Sequence, residues 1–140
     1  MTAHPDYSDA LAVQPEALGR GSPVAFEVVP DDEAVIARFV DDLMDEYLAA
    51  KAAGRDKVVF IGPVGPVGQY ERWAERCNRE RVSLADLVLV NMDEYLTPDG
   101  RDFIPETDPL SFRRHMNEKF WSRLDPSLAP PPEARHFPSP

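Results

Sequence analysis

The feature that most restricts the fold of this chain is a pair of short, almost wholly apolar runs separated by a helical stretch. Residues 57–61 read KVVFI and residues 84–91 read LADLVLVN, and both runs are of strand length. A strand that is apolar at nearly every position is typical of a parallel sheet with covered faces. The residues between the runs predict a helix over about 69–79. Strands that alternate with helices at this spacing predict right-handed crossovers and an α/β fold.

Further elements are predicted on either side of these runs. Residues 24–30, VAFEVVP, are β-branched and short, which predicts a strand before the first helix. Over 33–53 apolar residues recur at i, i+3, i+4 and i+7, and Gly54 follows where a helix commonly ends, so this stretch predicts the strongest helix of the chain. After a long polar loop, a third helix is predicted over 109–124.

The two ends of the chain are predicted to lie outside these elements. Residues 1–23 mix proline, glycine and small residues without sustained apolar periodicity, which predicts a mobile tail and a domain over 24–140. Residues 126–140 hold six of the fifteen prolines, which predicts an extended exit and no further helix.

Composition narrows the class of function. The 140 residues correspond to about one domain. A net charge of -10 argues against capture of nucleic acid or an anionic membrane. No apolar run approaches the roughly 20 residues of a membrane span, and the first ten residues, MTAHPDYSDA, lack a signal pattern. A single cysteine, Cys77, excludes an internal disulfide and suits a reducing compartment, so we expect a cytoplasmic protein.

Two segments follow the apolar runs, where an open parallel sheet binds its ligands. The first, GPVGPVG at 62–68, has glycines that allow close approach of a ligand to the backbone and precedes a helix N-terminus that favours an anion. The same segment is equally consistent with a rigid turn, because two of its residues are prolines without an N–H. The second, Asn91 to Tyr95, places two adjacent carboxylates at a strand end, where one of them could act as a general base or serve as a helix cap.

Other reactive residue types point to structural roles. The three histidines, His4, His115 and His136, lack metal-ligand spacing, so we expect neither a metal nor a cofactor. Cys77 has no histidine nearby in the sequence and is interpreted as a structural thiol. The cations of the third helix are interpreted as a solvated face, with phosphate binding as the alternative; they are Arg113, Arg114 and Lys119.

The second segment also carries a family resemblance. The run LADLVLVNMDEYL, preceded by Gly65, Pro66, Gly68 and Tyr70 and followed by DPLSFRRHMNEKFWSRLD, resembles the N-terminal half of the glucosamine-6-phosphate deaminase/isomerase family. The resemblance covers about residues 33–140, and NMDEY is its most specific part. It implies a Rossmann-like, three-layer parallel sheet with helices on both faces, of which this chain holds only the N-terminal part.

The resemblance also implies a chemistry and a set of site residues. The reaction is aldose–ketose isomerisation of an amino-sugar phosphate with release of the amine. Asp93 matches the family's base, which moves a proton between C2 and C1. The implied substrate-binding positions beside it are Gly62, Val64, Gly65, Glu94 and Tyr95.

Two departures from the family pattern leave other functions open. Pro63, Val64 and Gly65 stand where the family has a Gly-Ser-Thr that holds the substrate phosphate, so both hydroxyls and one amide donor are absent. The family's C-terminal half, with its ring-opening histidine, has no match here. We therefore expect a sugar or sugar-phosphate ligand and either a homo-oligomer or a completing C-terminal half. The alternatives are a noncatalytic sugar-binding or regulatory module and a 6-phosphogluconolactonase-like hydrolase.

Overall fold

The computed structural model describes residue 8 and residues 12–138, so parts of the predicted N-terminal tail and of the C-terminal exit lie outside the described residues. The described helices and strands are α1 (Asp32–Ala52), β1 (Val58–Gly62), α2 (Gln69–Glu80), β2 (Leu87–Asn91), α3 (Phe112–Met116) and β3 (Arg135–His136). A π-helical segment, Asn117–Trp121, continues α3, and short 3₁₀ turns occupy Pro15–Ala17 and Pro132–Ala134. None of the described helices is long and apolar enough to cross a membrane.

The three strands form one parallel sheet in the order β1-β2-β3. β1 and β2 pair along their whole length, from Val58 opposite Leu87 to Gly62 opposite Asn91. β3 adds only two residues, with His136 opposite Val90. The carboxyl ends of β1 and β2 are therefore level with each other.

The sequence of α1 contains the signals for both its ends. The Asp31 carboxylate accepts a hydrogen bond from the Ala34 N–H at 2.8 Å and caps the N-terminus. At the other end the chain turns at Gly54, whose φ of +77° suits a residue without a side chain. The predicted helix over 33–53 is confirmed to within one residue at each end.

An aromatic cluster joins the helices to the sheet. The Trp73 indole of α2 is fully buried and stacks on Phe120, with ring centroids 4.9 Å apart and an interplanar angle of 14°. Its N–H donates to the Met44 sulfur of α1 at 3.1 Å, and the Phe60 ring of β1 lies 6.1 Å from it. This side chain therefore contacts α1, the π-helical segment and the sheet at once.

The described helices cover one face of the sheet. Leu89 belongs to the buried cluster that contains residues of all three helices, and the partly buried Phe60 packs against that cluster. On the opposite face, Val59 and Ile61 of β1 are 60% and 70% exposed, and Val88 and Val90 beside them are only partly buried. The predicted α/β class with a parallel sheet is confirmed, and the described residues arrange it in two layers.

Three sequence predictions differ from the structure. Residues 24–30 form no strand, and Val24, Phe26 and Val28 are exposed, because no neighbouring strand pairs with them in the described chain. The predicted strand over 84–91 begins later, at Leu87, after a turn in which the Leu87 N–H donates to the Leu84 carbonyl. The predicted helix over 109–124 occupies only 112–121 and widens to a π-helix over its second half.

The C-terminal exit is more ordered than the proline count indicates. β3 lies within it and pairs with β2, and Leu128 and Ala134 are buried. The Leu84 N–H donates to the Leu128 carbonyl at 2.8 Å, which fastens this segment to the start of the β2 region. Proline correctly excluded an α-helix here but did not exclude a short strand.

Truncation of the stacked ring should destabilise the fold severely. We expect Phe120→Ala to lower the free energy of unfolding by about 3–5 kcal/mol, because it leaves a cavity beside Trp73. Leu110→Ala is the matched control: Leu110 is 64% exposed, and its truncation should change stability by no more than about 0.5 kcal/mol. Urea denaturation followed by circular dichroism measures both changes. If the two variants unfold at the same urea concentration, the stacking of Phe120 on Trp73 does not contribute more to stability than an exposed side chain does.

Candidate functional site

The two loops that carry the predicted site residues leave the sheet side by side. Gly62 and Asn91 are register partners at the ends of β1 and β2. The Met92 N–H donates to the Gly62 carbonyl at 3.2 Å, which extends the ladder by one residue beyond β2. Asp93 and the 63–68 loop therefore start from the same edge, as the sequence predicted for a crevice beyond the carboxyl ends.

Asp93 is exposed at this edge. Within the part of the chain that the structure describes, its carboxylate accepts no hydrogen bond and forms no ion pair. It is therefore open to a ligand that approaches the ends of the strands.

The next residue, Glu94, has a carboxylate that is fully engaged. One oxygen accepts from the N–H groups of Tyr95 and Phe112, each at 2.9 Å. The other accepts from the Ser111 hydroxyl at 3.0 Å and from the Arg113 N–H at 2.9 Å. Glu94 thus caps the N-terminus of α3 from outside the helix, and its carboxylate ties the end of β2 to that helix.

This environment controls the protonation of Glu94. Partial burial raises the pKa of its carboxyl, but the hydrogen bonds from Arg113, Phe112, Tyr95 and Ser111 outweigh burial and hold the pKa below the usual 4.5. The ionised form is the one that caps the helix. Of the two roles foreseen for this acidic pair, the structure thus gives Glu94 that of the helix cap.

Tyr95 and the polar loop after it form a small hairpin. The Tyr95 ring packs against Phe112 with centroids 4.9 Å apart, and its carbonyl accepts from the Ile104 N–H at 2.9 Å. Leu96 and Phe103 form an antiparallel bridge within the hairpin. Half of the Tyr95 surface remains exposed beside Asp93.

The first residues of α2 hold the 63–68 loop in place. The Tyr70 hydroxyl donates to the Pro63 carbonyl and the Gln69 amide donates to the Val64 carbonyl, both at 2.8 Å. Val64 is buried, and the following peptide bond to Pro66 from Gly65 is cis. This half of the loop is consequently a packed turn, which was one of the two interpretations of the sequence.

Gly62 has a packing reason to be glycine. A Cβ on this residue would lie 2.6 Å from the Tyr70 hydroxyl oxygen and 3.3 Å from a Leu89 methyl group. The absence of a side chain lets Tyr70 reach the loop carbonyl. A ligand is not needed to explain this glycine.

Two buried polar side chains at the same edge were not predicted as site residues. Asn91 is 3% exposed, and neither its amide nitrogen nor its oxygen has a partner among the described residues. Gln69 is fully buried, and its side-chain oxygen is also unpartnered there. An asparagine at the end of an otherwise apolar strand was the available signal for Asn91.

The surroundings of the remaining candidate residues, Cys77, Arg114 and Lys119, indicate structural roles. Burial raises the pKa of the Cys77 thiol to about 12, so it stays protonated and unreactive at neutral pH. Arg114 and Lys119 pair with Glu118 at 2.8 Å and Glu71 at 3.5 Å, as expected for a charged helix surface. Among the described residues, there is no group of three or more His, Cys, Asp or Glu side chains that could hold a metal ion.

A cavity lies close to the acidic pair. It has a volume of about 340 Å³, and Glu94 and Arg113 line it together with residues 102–106 and Pro138. The Arg113 guanidinium lies 5.0 Å from the centre of the Phe137 ring, in cation–π geometry. The lining is mixed in charge, with three carboxylates, Glu94, Asp102 and Glu106, and the cation of Arg113.

Comparison with known proteins does not assign this site. No family model matches the sequence, and neither does any curated protein. The resemblance to the deaminase/isomerase family therefore stays a prediction that rests on the residues named above.

Removal of the Glu94 charge should cost stability in a pH-dependent manner. We expect Glu94→Gln to lower the free energy of unfolding by about 1–3 kcal/mol at neutral pH, because an ionised acceptor of four hydrogen bonds is lost. Since the folded state depresses this pKa, the stabilisation is present above the usual 4.5 and is lost as the pH falls through the folded value.

The difference between wild type and Glu94→Gln should therefore stay constant from neutral pH down to about 4.5, and it should shrink as the pH falls further through the folded pKa of Glu94. Glu75→Gln, which changes an exposed carboxylate in the middle of α2, is the control and should match wild type. Urea titrations across this pH range measure the difference. A gap that stays constant below about pH 4.5 as well would show that charge is not what caps the helix.

Proposed function

We propose that this chain is the N-terminal, base-bearing half of a glucosamine-6-phosphate deaminase/isomerase-like protein. The observation that carries the proposal is the different surroundings of two adjacent carboxylates at the carboxyl edge of the sheet. The Glu94 carboxylate accepts hydrogen bonds that cap α3, whereas the Asp93 carboxylate is exposed and forms no hydrogen bond or ion pair within the described residues. Such a carboxylate is available for proton transfer.

In the proposed reaction Asp93 is the base. It takes the proton from C2 of the ring-opened amino-sugar phosphate and returns it to C1, while the C1 aldehyde oxygen gains a proton, which leaves an imine at C2. Water then adds to C2 and the C–N bond breaks, so that ammonia leaves and a ketone remains at C2. A bound substrate would lie over the carboxyl ends of β1 and β2 and would remove water from this position.

The 63–68 loop supports binding of an anion only in part. The N–H groups of Val64, Gly65 and Val67 donate no hydrogen bond within the described chain, and they precede the N-terminus of α2. Pro63 has no N–H, and no hydroxyl stands in the loop. The loop thus favours weak binding of a phosphate, or a ligand without one.

That loop favours a second candidate, a noncatalytic sugar-binding or regulatory module of the same fold. Val64 is buried and its carbonyl is bound by Gln69, so the segment is shaped by packing as well as by any ligand. A 6-phosphogluconolactonase-like hydrolase ranks third, because the NMDEY run resembles the deaminase pattern more closely.

The proposal includes a partner for the open sheet face. Val59, Ile61, Val88 and Val90 would lie under the helices of a completing C-terminal half or against a second copy of the chain, and a completing half would convert two layers into three. The completing half would supply the ring-opening acid and the phosphate cations. The proposed setting is the cytoplasm, with which the reduced, buried thiol of Cys77 is compatible.

The open face should make the isolated chain self-associate. We expect sedimentation to show oligomers whose population rises with concentration, because contiguous exposed apolar side chains favour association. Ile61→Lys should shift the population toward monomer, while Leu48→Lys, on the exposed side of α1, should not. A wild-type chain that stays monomeric at high concentration would contradict this part of the proposal.

The chemical part is tested by ammonia release from glucosamine-6-phosphate. We expect no measurable turnover by the 140-residue chain alone, because general-base catalysis is worth only about 10²–10⁴-fold. Turnover should appear when the completing half is added. In that complex Asp93→Asn should lower the rate at least ~10²-fold.

Asp56→Asn is the matched control, since Asp56 is an exposed carboxylate at the opposite, amino edge of β1. It should leave the rate unchanged. Robust turnover by the chain alone would overturn the half-enzyme proposal, and an unchanged rate in Asp93→Asn would remove Asp93 from the base role. Saturable sugar binding without ammonia release in the complex would favour the noncatalytic module.

A further inference from the structure

The cavity beside the hairpin holds charges of both signs that do not pair with each other. Its volume of about 340 Å³ is within the range of small-molecule sites. The Arg113 guanidinium lines it together with the carboxylates of Glu94, Asp102 and Glu106. Within the described chain, this guanidinium forms no hydrogen bond and no ion pair with any of them. Opposite charges that line one cavity without pairing leave room for a ligand between them.

The Arg113 side chain is held in place by an aromatic ring. Its guanidinium lies 5.0 Å from the centre of the Phe137 ring, and Phe137 packs against the hydrophobic core. The N–H groups of the guanidinium have no acceptor among the described residues. They can therefore donate to an anionic ligand, and a carboxylate matches their fork geometry.

Two of the carboxylates are also held in place and have a free oxygen. The Thr97 N–H donates to the Asp102 carbonyl at 2.8 Å, and one oxygen of the Asp102 carboxylate accepts from the Phe103 N–H at 2.8 Å. One oxygen of Glu106 accepts from the Asn117 amide at 2.5 Å. The second oxygen of each carboxylate has no partner in the described part of the chain. Both carboxylates can thus accept from a cation without giving up these hydrogen bonds.

The third carboxylate of the lining, Glu94, does not take part in binding. Its two oxygens already accept hydrogen bonds from the start of α3 and from the Tyr95 N–H. The groups that remain free are one cation and two anions. The complementary ligand therefore carries one anionic group and two cationic groups.

Apolar side chains complete the lining of the cavity. They are Phe103, Ile104, Pro105 and Pro138. The aliphatic carbons of a ligand would lie against these side chains while its charged groups bind the polar ones. This lining favours a short aliphatic molecule with charged groups over an inorganic ion.

We propose that this cavity binds a free basic amino acid such as lysine, with its α-carboxylate on Arg113 and its two ammonium groups on Asp102 and Glu106. The inference is independent of the proposed function. The bound amino acid would join residues 102–106 to α3.

Titration of the ¹⁵N-labelled chain with L-lysine, followed by heteronuclear NMR, tests this site. We expect saturable shifts of the amide signals of residues 102–106 and of the Arg113 Nε signal, and no shifts in α1, which does not line the cavity. L-Norleucine lacks the side-chain ammonium, and cadaverine lacks the carboxylate. Each should bind at least ~10-fold more weakly than lysine, because each loses one charge-assisted contact.

Two variants separate the roles of the charges. Arg113→Gln should weaken the binding of lysine at least ~10-fold without weakening that of cadaverine, which has no carboxylate for Arg113. Asp102→Asn keeps an acceptor for the Phe103 N–H and should weaken the binding of both ligands. Arg101→Gln and Glu133→Gln change exposed charges outside the lining and are the matched controls. They should leave both affinities nearly unchanged.

Three results would overturn the proposal. The first is the absence of a saturable shift with lysine up to its solubility limit. The second is an equal loss of lysine and cadaverine binding in Arg113→Gln, which would show that Arg113 only shapes the cavity. The third is binding of L-glutamate or of glucosamine-6-phosphate at least as tight as that of lysine. Glutamate has the opposite net charge, and the sugar phosphate would assign the cavity to the substrate of the proposed function.

Discussion

The parallel ladder between β1 and β2 is the interaction on which the rest of this molecule depends. Its five register pairs set Gly62 level with Asn91, and one more backbone bond joins Met92 to Gly62. The 63–68 loop and the acidic pair therefore emerge together, although they are distant in the sequence. Any shift of the register by one residue would move Asn91 to the opposite face of the sheet and separate the two loops.

The adjacent acidic residues show how neighbours of like chemistry acquire different roles. Glu94 is partly buried and meets three backbone N–H groups and a hydroxyl, so its charge is used to begin α3. Asp93 projects from the same strand end into solvent. The difference comes from the position of α3, which lies about 18 residues further along the chain. The sequence of the Asp93–Glu94 pair alone does not show that the N-terminus of α3 lies beside one of the two carboxylates.

The sequence predicted those parts of the fold whose signals are local. α1 carries a capping aspartate, an apolar periodicity and a terminal glycine, and its predicted limits were correct to one residue. β1 and β2 are apolar runs of strand length, so their type was clear. β3 could not be predicted, because two residues after a run of prolines become a strand only when β2 offers them an edge. The predicted strand at 24–30 failed in the converse manner: its composition suits a strand, but pairing is a property of two segments. For the site, the edge was predictable from the strand ends, whereas the cap formed by Glu94 and the unpartnered amide of Asn91 depend on packing.

The Glu94 carboxylate also joins the two ends of the loop that runs from the end of β2 to the start of α3, so that the loop is closed by hydrogen bonds into a ring. Both ends of that ring, the strand end and the helix start, are held at fixed positions by the same side chain. The closure entropy of a ring grows only slowly with its length, by about 0.6 kcal/mol for each doubling. The hairpin within the ring, closed by the Leu96 and Phe103 bridge, can therefore lengthen or shorten at little thermodynamic cost. Because the hydrogen bonds of Glu94 hold both ends of this loop, changes in the length or sequence of its tip would leave the strands and the start of α3 in place.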